Sequence, residues 1–475
     1  MKLKAIVWVG CLLSLTLPGA AQGYGAYRAD PWNDGKGATL RQRSGNGGGY
    51  AEVYGSYIQG NLRSSSEAGS AWTAGARTGG LKHFDRVSLT GQAAVSQTMG
   101  YRSAGSLLSR PASYLFDFFE FSPALKVRRD AELSGGLCQD LSAAWQWGIR
   151  GKAAFSKIVK QETLAHNTSF LSSGLRPGIQ YRKGSFAMAA SYQFSYEAER
   201  IRLNQELSPG EDTPTVFFDE GLFYGSETPW YLSPIHSDEG FLVRKFSHGA
   251  AFQLSEKALY AGLSSRWSRG EVRTDAVSSS LYDFSSWDLD GDLDWSRGPH
   301  RLHASVDYLW MEHRPLPEND PSASRLTLKT ALQYGFAGRG WSFAAVASLL
   351  DREGCTLVNA RYRVDQQVLI PALDTRWTLA LGKAGLRLAA GWTCGTLSES
   401  GPSLPSGTVA NRLDRYFVRY REHMVSHKIV LSPGLRWRFD GGLYADAALW
   451  WNHGFRLEYL GADRISGTLA FGYEF

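Results

Sequence analysis

Between Trp287 and Trp295 the chain alternates without a break. Asp288, Asp290, Asp292 and Asp294 fall on one side; Trp287, Leu289, Gly291, Leu293 and Trp295 fall on the other. This is the period of a β-strand, whose successive side chains leave opposite faces of a sheet. The period recurs. Trp145, Trp147, Ile149, Gly151, Ala153 and Phe155 alternate with Gln146, Gly148, Arg150, Lys152, Ala154 and Ser156. Leu302, Ala304, Val306, Tyr308 and Trp310 alternate with His303, Ser305, Asp307, Leu309 and Met311. Ile429, Leu431, Pro433, Leu435, Trp437 and Phe439 alternate with Lys428, Val430, Ser432, Gly434, Arg436 and Arg438. One face is aromatic or small and apolar; the other is polar enough to be wet.

Extended over the chain, the pattern predicts 18 strands. They fall at 50–60, 69–78, 86–98, 131–139, 143–157, 168–182, 185–200, 240–254, 258–272, 284–297, 300–313, 323–336, 340–352, 371–381, 385–398, 423–438, 442–453 and 464–475. A further pair within 356–370, or a count of 14 or 16, stays open. Tight turns are expected at Gly79-Gly80, Asp140-Leu141, Lys183-Gly184, Ser255-Lys257, Gly298-Pro299, Gly338-Gly340, Gly382-Lys383 and Asp440-Gly442. Long excursions alternate with them at 99–130, 201–239, 352–370 and 399–422. Pro177 and Pro433 stand in similar Pro-Gly contexts and predict a bulge or bend, because proline cannot donate to a ladder. Pro123, in a related context, falls in a predicted loop.

Two environments produce such alternation: the core of a soluble sandwich, or hydrocarbon around a barrel. The Trp287–Trp295 spacing covers roughly 26 Å of strand at ~3.3 Å per residue. Tilted by ~40°, that is about 20 Å of height, close to the ~25 Å apolar band of outer-membrane barrels between its aromatic girdles. Trp145, Trp147, Trp287, Trp295, Tyr308, Trp310 and Trp437 are therefore the predicted lipid-facing girdle. Composition points the same way. Gly numbers 52, with Trp 16, Tyr 22 and Phe 23 among 475 residues. The mean hydropathy of −0.27 excludes a polytopic helical membrane protein.

The ends add an address. Lys2 and Lys4 precede an apolar run from Ala5 to Leu17, too short to span a bilayer, with small residues at Gly19 and Ala21. Residues 1–21 read as an export signal, 22–49 as a Gly-rich periplasmic lead-in, and 50–475 as the barrel. Leu469, Phe471, Tyr473 and Phe475 alternate to the final residue. They resemble the C-terminal β-signal read by barrel-assembly machinery, an expected partner during biogenesis alongside outer-membrane lipid. With strands such as Ala187–Phe194, the chain resembles an uncharacterised outer-membrane β-barrel family of Bacteroidota. That resemblance implies an all-β fold, a single closed antiparallel transmembrane barrel, and a location; it implies no activity.

No catalytic, cofactor-binding or metal-binding set is expected. The Asp288–Asp294 run has carboxylates at calcium-loop spacing, but positions 6 and 12 of such a loop are here Leu293 and Pro299, not Gly and Glu. The ten histidines sit in no motif that names a chemistry. The net charge of +6 forms no basic stripe for nucleic acid. Arg150, Lys152, Asp288, Asp290, Asp292, Asp294, Asp307, Arg436 and Arg438 are the predicted lumen-facing charges. Phe217, Phe218, Phe223, Tyr224, Trp230 and Tyr231 form a recognition candidate in the 201–239 loop, or fold inward as a cap, with Tyr114–Phe121 posing the same choice. Three functions stay open: a passive channel or uptake accessory for a polar solute, a non-conducting scaffold or receptor subunit with an outer-membrane partner protein, and a barrel hydrolase.

Overall fold

A computed structural model describes residues 47–63, 67–160, 165–203, 215–221, 224–229, 240–274, 277–315, 324–336, 341–355, 363–400, 419 and 422–474. The predicted signal and most of the lead-in lie outside the described residues. The strands are β1 (Gly47–Gly60), β2 (Ser70–His83), β3 (Val87–Ser106), β4 (Asp117–Asp140), β5 (Trp145–Lys160), β6 (His166–Lys183) and β7 (Phe186–Leu203). Then come β8 (Thr215–Gly221), β9 (Tyr224–Pro229), β10 (Phe241–Glu256), β11 (Leu259–Thr274), β12 (Val277–Arg297), β13 (His300–Pro315) and β14 (Ser324–Phe336). The last are β15 (Trp341–Cys355), β16 (Arg363–Leu381), β17 (Ala384–Thr393), β18 (Thr396–Ser400), β19 (His427–Arg438), β20 (Leu443–Phe455) and β21 (Asp463–Glu474).

Each wall strand pairs antiparallel with its neighbours in sequence, and β1 pairs with both β2 and β21, so the sheet closes. β7 passes directly to β10. The β8–β9 hairpin stands outside this series and adds to the start of β4 through Asp117–Glu120. β17 and β18 are one wall position interrupted at Cys394-Gly395, since both pair with β16. The wall therefore has 18 strands. Closure has a physical cause: hydrocarbon offers no partner to an unpaired backbone amide, so a sheet crossing it cannot keep an edge.

Short turns such as Gly184-Ser185, Gly298-Pro299 and Gly382-Lys383 join strands at one rim, where Gly184, Gly298 and Gly382 take positive φ. The start of β1 and end of β21 lie at that rim too. Barrels of this class set short turns and both termini in the periplasm and long loops outside. β3, β4 and β12 run 20, 24 and 21 residues. That is about twice the ~9–11 residues a crossing needs, so the wall stands well above the outer leaflet.

The outer face carries the apolar band. Trp267, Trp287 and Trp310 sit side by side across β11, β12 and β13 and mark its upper limit. Trp145, Trp147, Trp295, Trp377 and Trp437 mark its lower limit, and all five are exposed. Between them Leu263, Leu293, Val306, Leu332 and Leu388 stand open. A continuous apolar belt of this extent has no stable place in water. The protein is an integral β-barrel of a bacterial outer membrane.

Several expectations are corrected. Gly79-Gly80 is not a turn: both residues pair within β1–β2, and the turn falls at 84–86. The 99–130 excursion is mostly strand, with Pro123 inside β4; a register shift after Gly100 absorbs the irregularity. Pro177 and Pro433 cause no bulge. Each pairs normally on one side, with Ile149 and Leu388, and the other ladder skips it without changing register. The missing N–H simply points to the skipped side. No extra strand pair occupies the described part of 356–370; residues 363–370 extend β16. Gly47–Gly49, assigned to the lead-in, already belong to β1.

Candidate functional site

The barrel interior holds the chemistry, in three tiers. In the upper tier, residues 107–118 turn inward from the end of β3 and lie along the inner wall. Leu107, Leu108, Tyr114, Phe116 and Phe118 pack with Ile201, Phe241, Val243, Val272 and Phe284 in one buried cluster. Every one of the latter five is an inward position on β7, β10, β11 or β12. Aromatic edges fix the fit: Tyr114 meets Phe284 at 5.7 Å and 85°, and Phe118 meets Phe241 at 4.5 Å.

Polar bonds anchor the same segment. Thr168 donates its hydroxyl to the Leu107 carbonyl at 2.7 Å. Arg128 donates to the Ser109 carbonyl at 3.0 Å. Glu199 accepts the Ser109 N–H. Burial first, and the neighbouring Glu199 and Glu197 charges next, push the Tyr114 hydroxyl well above its ordinary pKa. Beside the segment, Glu120 receives Lys160 and, at 2.8 Å, Lys126; Lys160 also donates to the Ser122 carbonyl at 2.6 Å.

The middle tier is an ionic lattice on the wall. Inward alternation on β12 presents Asp288, Asp290, Asp292 and Asp294. Arg266 on β11 pairs with Asp288, Ser264 donates to Asp290 at 3.0 Å, and His303 on β13 meets Asp294 at 2.8 Å. Asp307 lies opposite Asp290 in register. Lys245 stands 3.6 Å from Glu197. On the far side Arg150 and Lys152 also face inward, and Lys152 pairs with Glu132. The Lys152 and Glu132 side chains remain 58 % and 50 % exposed although they face the interior.

The lowest tier closes around Asp446. Arg436 reaches it at 3.0 Å, Arg387 also donates to it, and Arg436 extends to Glu474 at 3.3 Å. Tyr444 donates to Glu52 at 2.6 Å, and Arg77 pairs with Glu52 at 2.6 Å. Tyr444 lies flat on Gly472, where a Cβ would come within 2.3 Å of its ring. Arg438 lies at the exposed rim below.

The predicted girdle residues Trp145, Trp147, Trp287, Trp295 and Trp437 are on the outer face and exposed; Tyr308 and Trp310 share that face, half-buried. Leu469, Phe471 and Tyr473 point outward on β21; Phe475 lies outside the described residues. Phe217 and Phe218 sit on β8, where they pair in register with Phe119 and Phe118, and Tyr224 opens β9. Phe223, Trp230 and Tyr231 lie outside the described residues. Sequence reasoning missed Glu120, Lys160, Arg266 and Asp446. Each is an ordinary charge in a strand, and only register brings it to its partner. Among the described residues no group of His, Cys, Asp and Glu is arranged to hold a metal.

No family model and no curated relative matches the chain. Among solved structures, the barrel is similar to BauA, the ferric preacinetobactin receptor of Acinetobacter baumannii. Identity is 10 %, coverage 90 % of this chain and 80 % of that one, and the TM-score 0.47. It is similar also to the ferric citrate transporter FecA in its unliganded form, with 8 % identity, 92 % and 80 % coverage and a TM-score of 0.47. For the outer membrane transporter YddB of Escherichia coli the values are 8 %, 91 %, 81 % and 0.45.

Proposed function

We propose that this chain is a porin-like pore through which a polar solute enters the periplasm. One observation carries the reading: Lys152 and Glu132, halfway up the membrane and facing inward, keep 58 % and 50 % of their side-chain surface open. Ions at that depth are stable only if water reaches them, and an 18-stranded barrel is wide enough to hold an aqueous path. Charges on the wall then set which solutes enter. The inward segment 107–118 narrows the outer half and acts as the size filter. The reading includes an export signal, assembly through the terminal β-signal, and membership of the Bacteroidota family, and it includes no catalytic role.

The test is electrical. Purified, folded protein added to a planar bilayer gives discrete conductance steps if the reading holds. A folded barrel that stays silent overturns it. The inward segment and the β8–β9 hairpin at the outer mouth favour a second reading, a non-conducting receptor or scaffold subunit. Silence together with co-purification of an outer-membrane partner supports that one instead.

A further inference from the structure

The outer wall is not electrically uniform above its apolar band. On β4, β5, β7, β10 and β11, follow the outward positions upward from the exposed apolar residues. The first charge met is in every case a cation: Arg129 above Leu133, Lys157 above Phe155, Arg200 above Phe194, Arg244 above Phe246 and Arg269 above Trp267. Ladder pairing makes them neighbours: Arg129 faces Lys157, and Lys157 and Arg200 both face Ser169 on β6, which lies between them. Glu271 and then Arg273 stand one and two outward positions above Arg269 on β11.

Acids facing the same way are fewer. Glu271 lies 4.0 Å from Arg244 and 2.7 Å from Arg273, and Asp283 lies 3.2 Å from Arg269. Arg129 donates its Nε–H to the neutral Gln97 carboxamide oxygen at 3.0 Å. Arg269 remains 66 % exposed despite its ion pair. The opposite arc is different. There the outward acids, amides and imidazoles first met above the band are Glu312, Asp351, Gln367, His427, His453, Asp463 and Gln59, with His453 and Asp463 paired at 2.8 Å. On the described strands, then, a cation comes first above the band on one arc and not on the other.

That level is set by the aromatic girdle beneath it, where hydrocarbon gives way to headgroups. The rim in question is the one with long connections, so the leaflet is the outer one. A cation there meets the anionic groups of a lipid whose chains lie on the apolar band below. Guanidinium groups bind phosphate with two parallel hydrogen bonds, and a side chain anchored beside an aromatic girdle gives up little entropy to do so.

We propose that the β4–β11 arc binds a phosphorylated glycolipid of the outer leaflet. Its acyl chains cover Leu133, Phe155, Phe194 and Phe246, and its phosphate sits among Lys157, Arg200, Arg244 and Arg269. The lipid thereby becomes a fixed part of the wall behind the inward-folded segment 107–118.

The mature chain purified in neutral detergent is mixed with phosphorylated lipid A, dephosphorylated lipid A or inorganic phosphate, and bound lipid is read by native mass spectrometry. Phosphorylated lipid A binds at least about tenfold more tightly than its dephosphorylated form, and inorganic phosphate at equal concentration does not displace it. A variant carrying Lys157→Gln, Arg200→Gln, Arg244→Gln and Arg269→Gln loses that preference. A variant carrying His427→Gln and His453→Gln on the opposite arc keeps it. Folding is checked by the heat-dependent gel shift of an intact barrel. If the fourfold variant does not fold, Lys157→Gln and Arg244→Gln are measured singly, each with an expected loss of about fivefold. Equal binding of the two lipids, an unchanged affinity in these variants, or displacement by inorganic phosphate overturns the proposal.

Discussion

Lys160 donates to Glu120 inside the outer half of the barrel, and neither side chain keeps any contact with water. Lys126 holds the second oxygen of the same carboxylate at 2.8 Å. Two cations thus share one anion between β4 and β5, next to the point where the β8–β9 hairpin adds to the wall. Removing one partner of such a pair strands the other charge in a dry site, which costs about 3–5 kcal/mol. Glu120→Gln removes the carboxylate that Lys126 and Lys160 share. It is expected to destabilise the barrel by that amount, measured as a lower midpoint of urea unfolding in detergent. Glu120→Leu with Lys160→Met removes both charges of the pair and is expected to be milder. A Glu120→Gln midpoint equal to the parent's would mean the pair contributes nothing.

Phe116 is the centre of the inward segment, touching Tyr114 at 5.2 Å and Phe284 at 5.8 Å. Phe116→Ala removes a buried ring, a change that costs about 3–5 kcal/mol where the surroundings cannot collapse. The segment, rather than the wall, bears that loss, because the wall ladder does not include residue 116. The expected result is a normal heat-dependent gel shift, faster proteolysis between residues 107 and 116, and a larger conductance step. An unchanged step with faster cleavage would show that the segment does not narrow the path.

Tyr114 provides a pH test. Its hydroxyl is held neutral above its ordinary range by burial and by the Glu199 and Glu197 charges. An unfolded tyrosine ionises near ~10, so a raised folded value means that the folded state keeps its proton longer. The stabilisation is complete below that pH and is lost as pH rises through 10 towards the folded value. Tyr114→Phe keeps the ring and removes the titration. Between pH 10 and 12 the parent is expected to lose segment protection more steeply than Tyr114→Phe, read by the same proteolysis. Parallel slopes would count against the assignment.

Most of the wall was legible in alternation because a barrel imposes period two on both faces. Every predicted strand coincides with an observed one, and errors gather at the ends. The 99–130 stretch does not show the wall's period, because Leu107, Phe116 and Phe118 pack inward on a second layer. Gly79-Gly80 reads as a turn by composition, yet its glycines sit in a flat ladder while the chain reverses at Phe84-Asp85-Arg86. From parity, Arg150, Asp288 and Arg436 could be assigned to the polar face of their strands. Their partners could not. Arg266 meets Asp288 only through the β11–β12 register, and Tyr444 meets Glu52 only because the first and last strands bring β1 and β20 together at closure. Closure registers of this kind depend on the whole barrel and leave no local trace.

The wall of β12 gives the selectivity prediction. Asp307 lies between Asp290 and Lys329 in register, Asp290 accepts from the Ser264 hydroxyl, Asp288 pairs with Arg266 and Asp294 meets His303. Carboxylates on this wall attract cations and repel anions that pass close to them. Asp290→Asn with Asp292→Asn keeps side-chain volume and removes two of these charges. The reversal potential under a salt gradient is expected to shift towards anions, with the cation-to-anion permeability ratio falling by about two- to fivefold. Arg266→Gln moves it the other way by freeing the Asp288 charge. The effect should fade as the salt rises and the Debye length falls to ~3 Å at 1 M. Reversal potentials that are the same for both variants and the parent would mean that ions do not pass along β12.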